Sequence, residues 1–234
     1  MGETGDQGGL RSAAGRLLKR GMDLAVAGAV LVAVSPILVC TALALRVTMG
    51  SPVLFRQQRP GLLGRPFELM KFRTMRAAGA GEVDGPASDG ARTTRLGRLL
   101  RAMSLDELPT LVNVLRGDMS LVGPRPLLMQ YLDRYTPRQG RRHDVPPGIT
   151  GWAQVNGRNT VSWEERFELD LWYVEHASFW LDLRILARTA WTVVRREGVS
   201  HPGAATMPEY MGPASASGPS EGAAGEAAEE GAHG

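Results

Sequence analysis

The sequence predicts a mainly helical, compact α+β domain associated with a membrane, and three observations carry that prediction. Residues 24–45 form a run of 22 without a charged side chain. Two short β-rich runs flank a Gly/Pro-containing turn soon after it. The second half reads as helices with caps and apolar stripes. The chain has 234 residues, 43% hydrophobic and 22% charged, which is enough apolar material for a core. A single cysteine, Cys40, excludes an intrachain disulfide and a cysteine-cluster metal site.

The net charge of +3 conceals an asymmetry. The last 32 residues hold five glutamates and no Lys or Arg, so the preceding chain carries +8. A basic body of this kind points to phosphates, nucleic acid or an anionic membrane surface. Lysine occurs only at positions 19 and 71, the other cations being arginines. Arginine suits bidentate phosphate binding, although a codon bias produces the same skew.

Taken in order, residues 1–15 are polar and Gly-rich and read as a disordered N-terminus. Residues 16–48 form the hydrophobic helix, whose apolar part is about 33 Å long and able to cross a bilayer core. A buried core helix and a single span are the alternatives to the reading we favour, a re-entrant helix. Ser35-Pro36 sits mid-run, where proline removes a backbone hydrogen bond and bends or breaks a helix. Both flanks are basic, with Arg11, Arg16, Lys19 and Arg20 before and Arg46, Arg56 and Arg59 after. A helix that breaks at Ser35-Pro36 and returns to the same face satisfies the positive-inside rule for both flanks; a span does not.

Residues 49–201 read as the folded domain that follows the helix. Residues 53–56 and 67–72 flank the turn region 59–66 as a β-hairpin. Residues 77–91 read as a mobile loop. Leu96, Leu99, Leu100 and Met103 then mark the buried side of a helix whose arginines, 95, 98 and 101, lie between them. Ser162 with Glu165 forms a capping box, and Ser178 caps the next helix, where Phe179, Leu183, Leu186, Ala190 and Val194 make an apolar stripe. Trp172, Trp180 and Trp191 suit either the bilayer surface or core packing. Residues 202–234 read as a disordered acidic tail rich in Gly and Ala.

The chemistry-bearing residues fall in two groups. SLDELP (104–109) contains Ser104 and Glu107 at capping-box spacing, which alone explains both as a helix start. It also holds Asp106 beside Glu107. Adjacent helix positions point about 100° apart, so two such carboxylates serve different tasks, one attacking an electrophile and one holding a metal ion. The second group is cationic and turn-rich. Lys71 and Arg73 end the hairpin in KFRTM, Arg125 sits between prolines in GDMSLVGPRP (117–126), and Arg158 lies in GITGWAQVNGRN (148–159). Stiff loops lower the entropy cost of holding an arginine against a phosphate. Nucleotide-binding glycine fingerprints and metal-spaced histidines are absent from the sequence.

Lys19-Arg20, the apolar helix interrupted by Ser35-Pro36, KFRTM, SLDELP, GDMSLVGPRP and GITGWAQVNGRN occur in an order that resembles the bacterial sugar transferase family. Its members are monotopic polyprenyl-phosphate phosphoglycosyl transferases, and this chain resembles their minimal catalytic form over roughly residues 16–196. The resemblance implies transfer of a sugar 1-phosphate from a nucleoside diphosphate sugar, usually a UDP-sugar, to undecaprenyl phosphate, with release of the nucleoside monophosphate. It implies Asp106 as nucleophile, Glu107 as the acidic residue associated with Mg²⁺, and Arg101, Arg125 and Arg158 as phosphate-binding arginines. It further implies a site on the cytoplasmic face of the inner membrane. Thr110 stands where the family usually has Gln, and Pro146 where a cation often precedes the Pro-Gly. A non-enzymatic basic adaptor on the membrane surface is the alternative function. Nucleic-acid binding by the basic helix around Arg95–Arg101 is set aside because of the apolar segment.

Overall fold

The computed structural model describes residues 12–76, 90, 92–157, 161–195 and 209–212. Most of them are helical, with two small two-stranded sheets. The loop expected at 77–91 falls almost wholly outside the described residues, as does Arg158.

Helix α1 (Ala13–Met49) is 37 residues long, capped at its start by the Ser12 hydroxyl, which accepts from the Gly15 amide. The helix thus takes in residues 13–15, which the sequence assigned to a disordered end. The expected break at Ser35-Pro36 does not occur, and the helix runs on through both residues. Proline has no N–H for the carbonyl four residues back. Here the Ser35 hydroxyl donates to that Val32 carbonyl at 2.8 Å, so the acceptor is not orphaned. One narrow stripe, including Lys19, Asp23, Ala27, Thr41 and Leu45, is buried against the domain. Around it Val32, Val39, Leu43 and Val47 are 58–85% exposed.

Two cations of the basic flank before the apolar run, Lys19 and Arg20, are consumed inside the protein. Lys19 Nζ lies 2.5 Å from Asp182 Oδ2 and donates to the Val122 carbonyl at 3.0 Å. Arg20 donates to the carbonyls of Val114 and Leu115 at 2.6 and 2.9 Å. Asp23 Oδ1 accepts from the Leu121 amide at 3.0 Å. Polar side chains of α1 therefore satisfy backbone groups that a short sheet and a helix end leave open.

Strands β1 (Leu54–Pro60) and β2 (Pro66–Phe72) pair antiparallel, from Leu54 opposite Phe72 to Pro60 opposite Pro66. The hairpin is longer than the sequence predicted, and its loop shrinks to residues 61–65. Helix α2 (Arg95–Ala102) begins at a Thr94 cap and buries Leu100, but Leu99 and Met103 are 53% and 45% exposed. Gly97 permits its close approach to the chain after β2, because a Cβ there would sit 2.0 Å from the Thr74 carbonyl oxygen. Helix α3 (Thr110–Arg116) backs β2. Asn113 accepts from the Met70 amide and donates to the Glu68 carbonyl, and Thr110 donates to the Met70 carbonyl at 3.1 Å.

Two runs that read as loops pair as a parallel sheet, β3 (Ser120–Val122) with β4 (Gly148–Thr150). Each strand is three residues, too short for a period, and the partners are distant in sequence. Gly123 and Gly148 allow the crossing, since a Cβ on either would lie within 2.3 Å of backbone on the other segment. Between the strands comes a one-turn helix, α4 (Pro137–Gly140), and after them α5 (Trp152–Asn156).

Helix α6 (Trp163–His176) carries the expected Ser162/Glu165 capping box, and α7 (Phe179–Arg195) starts at the expected Ser178, which accepts from the Leu181 amide. The face of α7 that packs inward follows the predicted stripe only in part, Leu186 packing on the core. Asp182 and Ile185 are fully buried, whereas Leu183 is 45% exposed and joins Trp180 and Trp191, 75% and 56% exposed, on an outward apolar ridge. Trp172 stacks on Trp152 and His176 at 4.6 and 4.4 Å. The central core joins α1, β2, α3, β3, α6 and α7 through Ala27, Leu69, Val114, Val122, Tyr173 and Ile185.

Candidate active site

Asp106 and Glu107 lie in a 3₁₀ turn, Leu105–Glu107, entered through Ser104 at φ 54°. The capping box that Ser104 and Glu107 could form is not made. Glu107 instead accepts on Oε1 from Lys71 Nζ at 2.6 Å and from Arg125 at 2.5 Å. β2 supplies Lys71, and the loop after β3 supplies Arg125. The parallel sheet fixes that loop, with the Gly148 amide donating to the Pro124 carbonyl at 3.0 Å.

The two carboxylates differ in electrostatic setting. Burial disfavours ionised Glu107, but the charges and hydrogen bonds of Arg125 and Lys71 outweigh it and hold the pKa at about 2. Burial raises the Asp106 pKa, and the neighbouring Glu107 charge adds to the rise, against the pull of Lys71 and Arg101. One carboxylate is thus locked as an anion while its neighbour keeps more proton affinity and hence basicity. Arg101 is held by an Nε bond to Thr74 Oγ1 at 2.9 Å. Lys71 acts on both acids, Arg101 on the Asp106 side and Arg125 chiefly on the Glu107 side.

Beside Glu107 opens a cleft of about 110 Å³ lined by Arg59, Lys71, Glu107, Thr110 and Arg125 among others. At ~30 Å³ per water that is room for about four waters, or one phosphate-sized group. Arg59 is the residue the sequence reading missed as a site group, having counted it only in a basic flank. Its Nε is buried without a hydrogen-bond partner, and burial together with Arg125 lowers its pKa. The signal available was its place beside the turn of a hairpin whose other strand carries Lys71. Thr110, the departure from the family pattern, lines the same cleft and is tied to β2.

Arg73 does not join this group. Its guanidinium donates to the carbonyls of Met49, Gly50 and Ser51, closing the end of α1. The cation expected to bind phosphate is spent on carbonyls that the helix end leaves open. Leu105, next to Asp106, packs on the cluster of Leu45, Phe72 and Leu100, which also takes in Leu38 and Ala42, so the turn that carries the acid pair shares an apolar cluster with the second half of α1.

Among the described residues no group of three or more His, Cys, Asp or Glu is placed to hold a metal ion. The donor set suits a different arrangement. Mg²⁺ keeps several waters and takes one or two carboxylates plus substrate phosphates. Every hydrogen bond given for Glu107 ends on Oε1. One carboxylate beside a cationic cleft fits an ion completed by a ligand's phosphates.

The site thus brings together a locked anion, a carboxylate of raised pKa, clustered cations and a cleft the size of a phosphate. A sequence model described as "Bacterial sugar transferase" matches residues 14–196. The chain is 52% identical over 199 residues to the "uncharacterized sugar transferase EpsL" of Bacillus subtilis (strain 168), covering 84% of this chain and 96% of that one. It is 43% identical over 187 residues to the UDP-glucose:undecaprenyl-phosphate glucose-1-phosphate transferase of Escherichia coli (strain K12), covering 76% of this chain and 40% of that enzyme. It is 38% identical over 209 residues to the undecaprenyl-phosphate galactose phosphotransferase of Salmonella typhimurium, covering 82% and 44%. The chain thus spans nearly all of the first relative and less than half of the other two. It belongs to the bacterial sugar transferase family and is an enzyme of the phosphoglycosyl transferase kind.

Proposed function

We propose that this enzyme transfers a sugar 1-phosphate from a nucleoside diphosphate sugar, a UDP-sugar by the names of its relatives, to undecaprenyl phosphate. The observation that carries the reading is Glu107, clamped by Lys71 and Arg125, beside the more basic Asp106 in a turn that shares an apolar cluster with α1. The donor's phosphates enter the cleft between Arg59, Lys71 and Arg125, where opposing charge neutralises them; phosphoryl transfer depends chiefly on such positioning. A carboxylate oxygen of Asp106 attacks the phosphorus that bears the sugar. The bond from that phosphorus to the bridging oxygen breaks, and the nucleoside monophosphate leaves with the electron pair. An oxygen of the lipid phosphate then attacks the same phosphorus, displaces Asp106 and regenerates its carboxylate. Glu107, together with the donor phosphates, would hold a Mg²⁺ ion that neutralises further phosphate charge. Arg101 steadies the Asp106 side, and Arg158 is proposed as a further phosphate contact.

The acceptor is a lipid, so the site must lie at a bilayer surface. Both ends of α1 are held on one domain, Lys19 by Asp182 and Leu45 by the cluster with Phe72 and Leu100. That arrangement favours a helix whose two ends stay on one face of the membrane over one that spans it. The exposed ridge of Trp180, Leu183 and Trp191 supports an amphipathic contact on the same surface. With the basic flanks, this reading puts the site on the cytoplasmic face of the inner membrane.

The test is nucleoside monophosphate release by detergent-purified protein with Mg²⁺, undecaprenyl phosphate and a panel of UDP-sugars. Release from a donor, dependent on the lipid and lost in Asp106→Asn, supports the proposal. Silence of folded protein across UDP-sugars and other nucleotide sugars sinks it and favours the adaptor.

A further inference from the structure

Residues 209–212, within the tail that the sequence read as disordered, are packed against the domain. Tyr210 is 1% exposed, with ring centroids 5.0 Å from Phe167, 5.6 Å from Trp163, 5.7 Å from Tyr131 and 6.0 Å from Tyr135. Its amide donates to the Tyr131 hydroxyl, and its own hydroxyl donates to Gln139 Oε1 at 2.9 Å. Glu209 accepts from Gln130 and Arg134 at 2.5 and 2.8 Å, and Arg134 also donates to the Tyr210 carbonyl.

Two routes lead from this cage to the active site. Leu127 belongs to the same buried cluster as Tyr210 and also lines the cleft beside Glu107. Tyr135 and Phe167, both touching Tyr210, form the platform under Arg142, whose guanidinium carbon lies 5.9 and 5.8 Å from their ring centroids. Arg142 is paired with buried Asp170 at 2.6 Å and donates to the Arg125 carbonyl at 2.8 Å. The loop that presents Arg125 to Glu107 is therefore held at its backbone by Arg142 and at Leu127 by the cluster that Tyr210 completes.

We propose that the segment 209–212 is a positioning element of the site: Tyr210, seated in its aromatic cage, fixes the loop 124–128 and so the aim of Arg125. Emptying the cage removes the ring contact to Tyr135 and opens the cluster that holds Leu127, and the loop gains freedom that ligand binding must then remove. The link to ligand affinity rests on the donor-site reading above; the link to loop order does not.

The experiment compares full-length wild type, Tyr210→Ala, Tyr210→Phe and Glu209→Lys in detergent. Hydrogen exchange is followed at the amides of Arg125, Leu127 and Leu128, UDP affinity by calorimetry, and release of the segment by quenching of Trp163. Tyr210→Ala should speed exchange at those amides and weaken UDP about tenfold, the loss expected when a charge-assisted contact is misaimed. Tyr210→Phe keeps the ring and should recover most of both readings. Should Tyr210→Ala fail to fold, Glu209→Lys releases the outer end of the segment without emptying the cage, and the same readings apply. Unchanged exchange at the three amides, with quenching showing the segment released, overturns the proposal. Faster exchange with unaltered UDP affinity overturns the aim of Arg125. Wild-type protein that binds no UDP counts against the donor reading, and the exchange readings then decide the positioning role.

Discussion

Replacing Lys19 by methionine removes the cation that faces Asp182, a carboxylate with no exposure at all. The ammonium lies 2.5 Å from Asp182 Oδ2, and Tyr173 donates to the other carboxylate oxygen at 2.7 Å. Breaking a buried ion pair from one side costs about 3–5 kcal/mol, because the partner charge stays behind uncompensated. For a chain of this size about 1 kcal/mol shifts Tm by roughly 2–4 °C, so the expected fall is roughly 6–20 °C in a detergent melting assay. The pH dependence adds a second check. Burial raises the Asp182 pKa, with Lys19 opposing, so losing Lys19 raises it further. The folded state then holds a proton that the unfolded state has released, and lowering the pH towards the unfolded carboxylate value restores stability. The deficit should therefore be largest near pH 8 and shrink on acidification. Adding Asp182→Asn removes the stranded charge and should recover more than half of the loss. A Tm drop under about 2 °C for the single variant would refute the charge argument. A double variant as unstable as the single one would assign the effect to the lost Val122 carbonyl contact instead.

Three other outcomes are expected. His143 is held neutral by burial and by the nearby Arg142, with its pKa lowered from 6.5 to about 4. Its contribution is present above pH 6.5 and lost as the pH falls towards 4, by roughly 3 kcal/mol at most, and His143→Phe should remove that slope from a stability–pH curve. Arg59→Gln should raise the donor KM about 10–100-fold with little change in melting temperature, and an unaltered KM would remove Arg59 from the phosphate cleft. Gly97→Ala forces a methyl group to within 2.0 Å of the Thr74 carbonyl oxygen. The shift should cost about 1–3 kcal/mol in stability and disturb the Arg101–Thr74 bond, lowering turnover beyond the loss of folded protein.

The features legible in the sequence are those with a local signature. The 22 uncharged residues, the hairpin and the caps at Ser162 and Ser178 each rest on contacts within a few positions, so spacing alone reveals them. Asp106, Glu107, Lys71 and Arg125 were found by motif, and the structure brings all four together with Arg101. The family resemblance implies their division of labour, but the local pattern does not, because Glu107 fits a helix cap as well as a site. Only the approach of Lys71 and Arg125, 36 and 18 residues away, decides against the cap.

Tertiary structure alone decided the rest, for one physical reason: each outcome depends on a partner remote in the chain. Arg73 looked like Lys71 two positions earlier, yet it faces the open carbonyls of α1. Strands β3 and β4 are too short to carry a period and exist only as each other's partners. Helix α7 has two apolar faces, and which one is buried follows from where Lys19 meets Asp182, 163 residues away. Tyr210 sits in a polar, Gly-rich tail whose composition predicts disorder, and a single ring filling an aromatic cage overrides that composition locally. By itself the sequence determined the long apolar helix and the residue types of the site. Burial and long-range pairing determined which charges remain there to meet a phosphate.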